Sequence, residues 1–203
     1  MGQEKTQYIL GVDEAGRGPL AGPVAVGVAC VPTGFDWTQL QEVNDSKQLT
    51  EKKREEIYAA AKRLEKAGEL KLSVSMVSAS VIDKKGIVPS VTVAMKRALK
   101  RLAVSPKGTV VKLDGGLKAP EEYRTQETIV KGDSKEKVIG LASIAAKVTR
   151  DRYMQRIAQK DEFVLYDFAT HKGYGTKKHR EAIVQNGFST EHRLSYCKNI
   201  KVL

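Results

Sequence analysis

The chain has 203 residues, of which 35 are Lys or Arg and 24 are Asp or Glu, giving a formal net charge of +11. This length fits one ordinary domain with at most a small appendage, and a hydrophobic content of 41% supports a core and argues against wholesale disorder. The longest nearly unbroken apolar stretch, residues 24–31, is far shorter than the ~20 residues of a bilayer span. Charge alone is compatible with a nucleic-acid-binding surface, an anionic membrane or a merely soluble basic protein.

The cysteine content indicates the compartment. Cys30 and Cys197 are the only cysteines, and they suggest neither a disulfide framework nor a CxxC metal site. No apolar signal region lies near the N-terminus. We therefore expect a cytoplasmic protein that does not associate with a membrane.

The first part of the chain predicts two buried strands and a helix. Residues 8–12 and 23–31 are apolar runs of the kind found in strands covered on both faces. A strong amphipathic helix is predicted over residues 51–67, preceded by Thr50 and ended by Gly68. The apolar face of this helix consists of Ile57, Ala61 and Leu64.

The middle of the chain predicts an edge strand and a second helix. Residues 69–77 alternate between apolar and polar side chains, as in a half-exposed strand near a sheet edge. One face carries Leu70, Leu72, Val74 and Met76, and the other carries Lys71, Ser73 and Ser75. The helix over residues 91–102 buries Val91, Ala94, Ala98 and Leu102 and turns Lys96, Arg97, Lys100 and Arg101 to solvent.

The remaining elements complete an α/β pattern. Residues 109–113 and 128–130 are predicted strands, and a long helix follows over residues 134–159. Residues 161–203 include a helix over 177–186 and are predicted to be a helical segment packed on the core. Strands mixed with helices indicate an α/β or α+β sheet with helices on its faces.

Three of the apolar strands end near a carboxylate. Asp13 and Glu14 follow the first strand, Asp114 ends a later one, and Asp133 comes soon after the last. Ligands of open α/β sheets collect outside the carboxyl ends of strands, so neighbouring strands would bring these acids together. Their repulsion would favour hard divalent cations such as Mg²⁺, and two ions about 4 Å apart can hydrolyse a phosphodiester.

Each acid also has a structural interpretation. Asp13 and Glu14 could be turn residues, Asp114 before glycine could start a hairpin, and Asp133 could cap the long helix. Taken singly, Asp114 and Asp133 favour the structural interpretation; together, in a basic protein, the acids make a nuclease site competitive. Adjacent strand residues face opposite ways, so Asp13 and Glu14 share a site only if the strand ends or twists there, which the nearby Gly16 permits.

Two further segments and the histidines carry weaker signals. The tripeptide Gly16-Arg17-Gly18 leaves the backbone open to close approach, although most such tripeptides are turns. Lys47 could bind phosphate or belong to an ordinary helix entrance, and residues 171–176 could stack on a sugar or base while touching phosphate. His171, His179 and His192 have no metal-site spacing, so we expect no zinc.

The chain resembles ribonuclease HII, the type 2 ribonuclease H family, in motifs that run in order along nearly its whole length. The matching blocks are residues 11–23 (GVDEAGRGPLAGP), 44–49 (NDSKQL), 113–115 (LDG), 131–133 (KGD), 142–152 (ASIAAKVTRDR), 171–176 (HKGYGT) and 192–193 (HR). The first block is highly specific, and together the blocks make chance similarity very improbable.

This resemblance implies a ribonuclease H-like mixed sheet flanked by helices, in one catalytic domain over residues 1–203 with its core at about 7–160. It implies an endonuclease that uses two Mg²⁺ or Mn²⁺ ions to cut the RNA strand of RNA–DNA hybrids. The same enzyme would cut 5′ of single ribonucleotides in duplex DNA, as in ribonucleotide excision repair, leaving 3′-hydroxyl and 5′-phosphate ends. The matching metal ligands are Asp13, Glu14, Asp114 and Asp133.

The resemblance also implies substrate contacts. Gly16, Arg17 and Gly18 would read the ribose 2′-hydroxyl, by which a protein tells RNA from DNA, and Tyr174 would pack on the adjoining deoxyribose at the RNA–DNA junction. The predicted phosphate contacts are Lys47, Lys147 and Arg150. Asp151 is expected to pair with a neighbouring Arg, and Asp167 stands where the family pattern leads us to expect glycine.

Two other functions remain open at the level of sequence. A resolvase-type DNA nuclease of the same fold would share the acids but would not need the Gly16-Arg17-Gly18 and Tyr174 pair. A non-catalytic binding module would need the positive charge but not four strand-end acids, which would weaken binding to a polyanion. The expected partners are RNA–DNA hybrids and ribonucleotide-containing duplexes; we expect a monomer with no obligate protein partner, no extra N-terminal domain and no clamp-binding tail.

Overall fold

A five-stranded mixed sheet forms the centre of the computed structural model, which describes residues 7–43 and 49–203. The strands are β1 (Tyr8–Ala15), β2 (Val24–Pro32), β3 (Lys71–Val77), β4 (Thr109–Asp114) and β5 (Gln126–Ile129). Their spatial order is β3-β2-β1-β4-β5; β1 and β3 lie antiparallel to β2, whereas β4 lies parallel to both β1 and β5. The α/β class predicted from the sequence is confirmed.

Helices cover both faces of this sheet. They are α1 (Glu51–Lys66), α2 (Ala79–Lys85), α3 (Ile87–Leu102), α4 (Gly132–Lys135), α5 (Lys137–Ile157), α6 (Phe168–His171) and α7 (Lys177–Asn186). Short 3-10 segments occupy Thr38–Val43, Asp161–Tyr166 and Leu194–Tyr196. The predicted boundaries of α1 and α7 hold within one residue, and Thr50 caps α1 by accepting a hydrogen bond from the Lys53 N–H.

Three hydrophobic clusters hold these layers together. One packs α3 against β1, β2 and β4, and a second packs α1 and α5 against the opposite face of the sheet. The third joins the C-terminal residues to the end of α5 and to Leu20 and Ala21, which lie in the loop after β1. Among the described residues, no helix is long and apolar enough to cross a bilayer.

The predicted long helix over residues 134–159 is broken at Glu136. This residue is extended (φ −123°, ψ 112°), so α4 and α5 are separate helices. The extended backbone lets the Glu136 carboxylate form an ion pair of 2.8 Å with Lys112 on β4. No glycine or proline marks the break, and the prediction of one continuous helix was therefore wrong at this point.

Strand β3 is an edge strand as predicted, but its faces are the reverse of the expectation. Ser73 and Ser75 are buried, whereas Leu72, Val74 and Met76 are only partly buried. The serine face is covered because α3 packs on β3 and β2. Small side chains on that face allow a helix to lie close to the strand, which the alternation of polarity alone does not reveal.

Helix α5 lies directly on the sheet because two glycines remove the side chains between them. A Cβ atom on Gly11 of β1 would come within 2.1 Å of the Val138 carbonyl oxygen, and one on Gly27 of β2 within 2.2 Å of the Ala142 carbonyl oxygen. Val138 and Ala142 are one helical turn apart, so the same face of α5 contacts both strands. This contact fixes the height of α5 above the ends of the strands.

Replacement of Gly11 by Ala is expected to destabilise the fold, because the new methyl group meets helix backbone that cannot move alone. Overpacking of this kind costs about 1–3 kcal/mol, and we expect the upper end of that range in urea unfolding. Gly116→Ala is the matched control, since a Cβ atom there has no neighbour within 4 Å. Equal unfolding midpoints for the two variants would contradict the close approach of α5.

Candidate active site

A cavity of about 520 Å³ opens at the carboxyl ends of β1 and β4. Its lining combines acids, a glycine-rich loop, basic side chains and one tyrosine. The lining residues are Asp13, Glu14, Ala15, Gly16, Arg17, Gly18, Arg54, Asp114, Ser143, Lys147 and Tyr174. The cavity therefore joins strand ends with α5 and with the C-terminal segment.

The sheet register brings Asp13 and Asp114 together. The last parallel pair of β1 and β4 is Val12 with Leu113, so the two aspartates leave neighbouring strands at the same level. Since β1 continues to Ala15 without β4 beside it, Glu14 also borders the cavity. The Glu14 N–H donates to Asp13 Oδ1 (2.7 Å), and Arg17 Nη1 lies 3.2 Å from Glu14 Oε1. Adjacent acids thus border one cavity where β1, still paired with β2, extends beyond its pairing with β4.

Burial and the neighbouring acids raise the pKa of Asp13. The pKa of this carboxyl is raised to about 7, chiefly by burial and also by the neighbouring Glu14 and Asp114 charges, against a hydrogen bond from the Ser143 side chain that lowers it. Among the described residues, no three Asp, Glu, His or Cys side chains are already drawn together as a metal-binding cluster. The oxygen-only donors and their mutual repulsion nevertheless fit a hard divalent cation such as Mg²⁺ or Mn²⁺.

Asp133 lies behind the cavity. It is buried in the first turn of α4 and does not line the cavity. The preceding Gly132 donates its N–H to Asp114 Oδ1 (2.7 Å), which ties the start of α4 to the end of β4. The structure places Lys131 at the helix N-cap, so Asp133 is not a cap, and the parallel pairing of β4 with β5 excludes a β-hairpin at Asp114.

Helix α5 contributes one face to the cavity. Ser143 contacts Asp13, and Lys147, one turn later, lines the cavity with its Nζ 2.8 Å from Asp151 Oδ1. The expectation that Asp151 pairs with a neighbouring Arg is therefore wrong, since its ion pair is with Lys147. Asp151 itself does not line the cavity.

Arg150, predicted as a phosphate contact, does not face solvent. Its side chain is fully buried, donating to the Pro23 carbonyl from Nε (2.8 Å) and to the Ala21 carbonyl from Nη2 (3.1 Å). Desolvation lowers its pKa from the ordinary arginine value. A Cβ atom on Gly16, where φ is +91°, would lie 2.1 Å from Arg150 Nε, so both space and backbone conformation require glycine at this position.

Tyr174 stands at the rim of the cavity with 42% of its surface exposed. The Lys147 ammonium lies 5.8 Å and the Arg150 guanidinium 5.7 Å from the centre of its ring. Cations at this distance are attracted to an aromatic face. These cations support the ring from the protein side, while a large part of it remains open to a ligand.

Three cavity residues were not among the predicted site residues: Ala15, Arg54 and Ser143. Ser143 lies four residues before Lys147, and this helical spacing could have indicated that both face the same way. Arg54 enters from α1, and no sequence pattern links α1 to the strand ends. Of the predicted residues, Lys47 lies outside the described part of the chain.

Comparison of the whole sequence with known proteins leads to the same family as the strand-end acids and the glycine loop. The family model described as Ribonuclease HII matches residues 10–199. The chain belongs to the ribonuclease HII family. It is 43% identical to the ribonuclease HII of Caldicellulosiruptor bescii over 198 residues, which cover 97% of this chain and 90% of that protein. It is 42% identical to the ribonuclease HII of Endomicrobium trichonymphae, with 93% and 84% covered.

A solved structure shows the same architecture. The crystal structure of the ribonuclease H2 from Pyrococcus horikoshii OT3 superposes with a TM-score of 0.70 at 26% identity, covering 96% of this chain and 97% of that one. The fold is thus the ribonuclease H-like mixed sheet with flanking helices. As a member of the ribonuclease HII family, the protein is a metal-dependent ribonuclease H, a nuclease that acts on RNA–DNA substrates.

Proposed function

We propose that this ribonuclease HII cuts the RNA strand of RNA–DNA hybrids and cuts 5′ of single ribonucleotides in duplex DNA, leaving 3′-hydroxyl and 5′-phosphate ends. The observation that carries the proposal is the cavity itself, in which Asp13, Glu14 and Asp114 meet the Gly16-Arg17-Gly18 loop and Tyr174. Acids alone would serve any nuclease of this fold. The loop and the tyrosine supply the means to select a ribose next to a deoxyribose.

Four acids would hold two divalent ions, Mg²⁺ or Mn²⁺, during this reaction. They are Asp13, Glu14, Asp114 and Asp133. When bound, such ions supply a water of lowered pKa and stabilise charge on the leaving oxygen. The protein prepares the acids for this role: Ser143 favours the ionised form of Asp13, and the Gly132 N–H orients Asp114. Because Gly132 makes that contact, Asp133 is attached to the same corner of the site.

Substrate selection would come from the rim of the cavity. We propose that the 16–18 loop contacts the ribose 2′-hydroxyl, since a Cβ atom on Gly18 would have no protein neighbour within 4 Å and the backbone there is open to a ligand. Tyr174 would pack on the sugar of the adjoining deoxynucleotide. Lys147 would contact phosphate, and Lys47 stays a predicted phosphate contact. For Arg150 we propose an indirect role, through the loop carbonyls that it binds.

The cellular setting follows from this activity. Removal of single ribonucleotides would place the protein in ribonucleotide excision repair, and a net charge of +11 suits a polyanionic duplex. Cys30 and Cys197 are both buried and unpaired, in keeping with the cytoplasmic location that we propose. We propose a monomer that needs no obligate protein partner.

The direct test uses a DNA duplex that contains one ribonucleotide, labelled at the 5′ end of the cut strand. With Mg²⁺ or Mn²⁺ we expect one cut immediately 5′ of the ribonucleotide and none with EDTA. The same duplex with deoxyribose at that position is the control. Cleavage of the all-DNA control at a similar rate would favour a resolvase-type DNA nuclease and overturn the proposal.

Tyr174→Ala is expected to lose about tenfold in kcat/KM on the duplex with one ribonucleotide, because a sugar-stacking contact is worth roughly 1–3 kcal/mol. An all-RNA strand in a hybrid offers no junction along most of its length, so its cleavage should fall by less than about twofold. Tyr174→Phe keeps the ring and is the matched control. An equal loss on both substrates would argue against a junction-sensing tyrosine.

A further inference from the structure

A short piece of the C-terminal segment, residues 191–193, lies beside the loop that follows β1. Ala21 and His192 form an antiparallel β-bridge. The Gly22 N–H donates to the Glu191 carbonyl (2.8 Å), and the Arg193 N–H donates to the Leu20 carbonyl (2.7 Å). Adjacent residues in such a bridge project to opposite sides. His192 and Arg193 therefore reach in two different directions from one anchored backbone.

Arg193 reaches the loop that carries Gly16-Arg17-Gly18. Its side chain is fully buried and donates to the carbonyls of Gly16 (Nη2, 2.7 Å), Arg17 (Nη1, 2.9 Å) and Gly22 (Nε, 3.0 Å). Burial, and the nearby Arg150, lower its pKa to about 10, so it remains charged at neutral pH. Because the planar guanidinium presents its donors in a fixed fork, these three bonds define the conformation of the loop.

His192 reaches the loop of Tyr174 through His179. The Ser189 N–H donates to His192 Nδ1 (2.8 Å), the two Nε2 atoms of His192 and His179 are 3.1 Å apart, and His179 Nδ1 lies 2.9 Å from the Tyr174 carbonyl oxygen. An amide N–H can only donate and a carbonyl can only accept. The proton of His192 is thereby assigned to Nε2, that of His179 to Nδ1, and one unbroken chain of donors runs from residue 189 to Tyr174.

This chain requires neutral histidines. A second proton on either ring would meet another donor, at the Ser189 N–H or at the partner Nε2. The pKa of both His179 and His192 is lowered to about 4, chiefly by burial. His171 lowers the pKa of both rings and Arg180 lowers that of His179, whereas the backbone hydrogen bonds at Tyr174 and Ser189 act in the opposite direction. Both rings are therefore neutral at neutral pH.

We propose that His192 and Arg193 are positioning residues for substrate selection, Arg193 for the loop that reads the ribose and His192 for the tyrosine that reads the junction. This inference rests on the proposed function of those two loops. Neither residue touches the substrate: Arg193 holds the backbone of one recognition loop directly, and His192 holds that of the other through His179. Two adjacent residues thus couple the two halves of junction recognition through one piece of the C-terminal segment.

The first test compares two substitutions of His192. In His192→Gln the side-chain amide nitrogen lies roughly where Nε2 of histidine lies, so a donor toward His179 is kept. In His192→Asn the amide nitrogen lies roughly where Nδ1 lies, so the donor toward His179 is lost. Loss of one such bond costs about threefold to tenfold, so His192→Asn should lower kcat/KM by that factor on the duplex with one ribonucleotide and by less than about twofold on an all-RNA hybrid. His192→Gln should remain near wild type on both.

The second test is Arg193→Lys, which keeps the charge but cannot serve three carbonyls in one plane. We expect both substrates to lose roughly tenfold or more, chiefly in kcat, because every cut requires a positioned 2′-hydroxyl. If the lysine variant does not fold, Arg193→Gln removes the buried charge and retains two donors. Asp83→Ala is the structural control, since Asp83 anchors the same segment by accepting from the N–H groups of Leu194 (2.8 Å) and Ser195 (3.0 Å), and its charge favours the protonated form of Arg193 without replacing any of the three loop bonds.

The possible outcomes distinguish a failure of this inference from a failure of the proposed function on which it rests. Different substrate profiles for His192→Asn and Arg193→Lys, with an unchanged ratio in Asp83→Ala, support the inference. A shared profile for all three folded variants overturns it and leaves the proposed function standing. A wild-type enzyme that leaves the duplex with one ribonucleotide uncut overturns both.

Discussion

Asp13→Asn is expected to reduce cleavage of an RNA–DNA hybrid by at least about 10³-fold in saturating Mg²⁺, while hybrid affinity stays within about twofold. The amide keeps the shape of the side chain but removes the charge at the most buried carboxylate of the cavity. On the proposed function, binding depends on the basic surface and on Lys147 and Arg17, which the substitution leaves in place. Removal of one negative charge can only favour approach of a polyanion.

Two measurements check this result. Single-turnover cleavage of a labelled hybrid gives the rate, and fluorescence anisotropy of the same hybrid in EDTA gives the affinity. Asp36→Asn is the matched control because Asp36 is an exposed carboxylate that accepts hydrogen bonds from Thr38 and lies outside the cavity. Near-normal turnover by Asp13→Asn would remove Asp13 from the proposed metal ligands.

The sheet could be predicted from sequence because its strands carry local signals. Apolar runs and punctuating glycines locate β1, β2 and β4, and their carboxyl ends locate three acids. The register supplied what the sequence pattern left open: Val12 with Leu113 is the last pair of β1 and β4, so Glu14 has β2 on one side and no β4 residue on the other. The adjacent acids needed no sharp twist at Gly16, only a strand longer than its neighbour.

Contacts between residues that lie far apart in the chain could not be predicted from the sequence. Arg150 and Arg193 are fully buried although arginine is ordinarily a surface residue, because loop carbonyls far away in sequence replace water as their partners. The spacing of the histidines also gave no sign that the fold stacks His171 on His179, with ring centres 4.2 Å apart. The hydrophobic periodicity of a single helix or strand carries no information on contacts of this kind.

One departure from the family pattern has a local explanation. Asp167 has φ +51°, a left-handed conformation that favours glycine, which is the residue that the resemblance led us to expect there. Aspartate tolerates this conformation better than most residues because its side chain bonds locally. Here Thr170 Oγ1 donates to Asp167 Oδ1 (2.8 Å), so the loop keeps its shape with a different residue.

The same Asp13→Asn substitution is expected to stabilise the metal-free protein above neutral pH. In the folded protein the pKa of Asp13 is raised to about 7, whereas an unfolded aspartate titrates near 3.8. Between these values the folded state binds the proton and the unfolded state does not, so this group's contribution to unfolding free energy falls as pH rises from about 4 to about 7. At ~1.4 kcal/mol per pH unit, the loss amounts to ~4 kcal/mol, complete above pH 7.

Urea unfolding in EDTA at several pH values isolates this contribution as the difference between Asp13→Asn and wild type. The difference is needed because His179 and His192 act in the opposite sense: their pKa values are lowered to about 4, so their contribution to stability increases as pH rises toward 6.5. Both proteins share that contribution, and it cancels. The variant should gain on wild type steadily up to about pH 7 and hold a constant advantage beyond it.

Addition of Mg²⁺ at pH 8 should then narrow the gap, because a cation that binds only the folded wild type stabilises it by mass action and finds one ligand fewer in the variant. Parallel stability curves in EDTA would mean that Asp13 titrates normally and that the acids do not repel one another. A constant gap with Mg²⁺ present would mean that Asp13 is not a ligand. If the variant gains stability with pH in EDTA and Mg²⁺ narrows the gap, then the ionised Asp13 carboxylate that destabilises the metal-free protein is also a ligand of the divalent cation. The metal site would then cost the metal-free protein part of its folding stability.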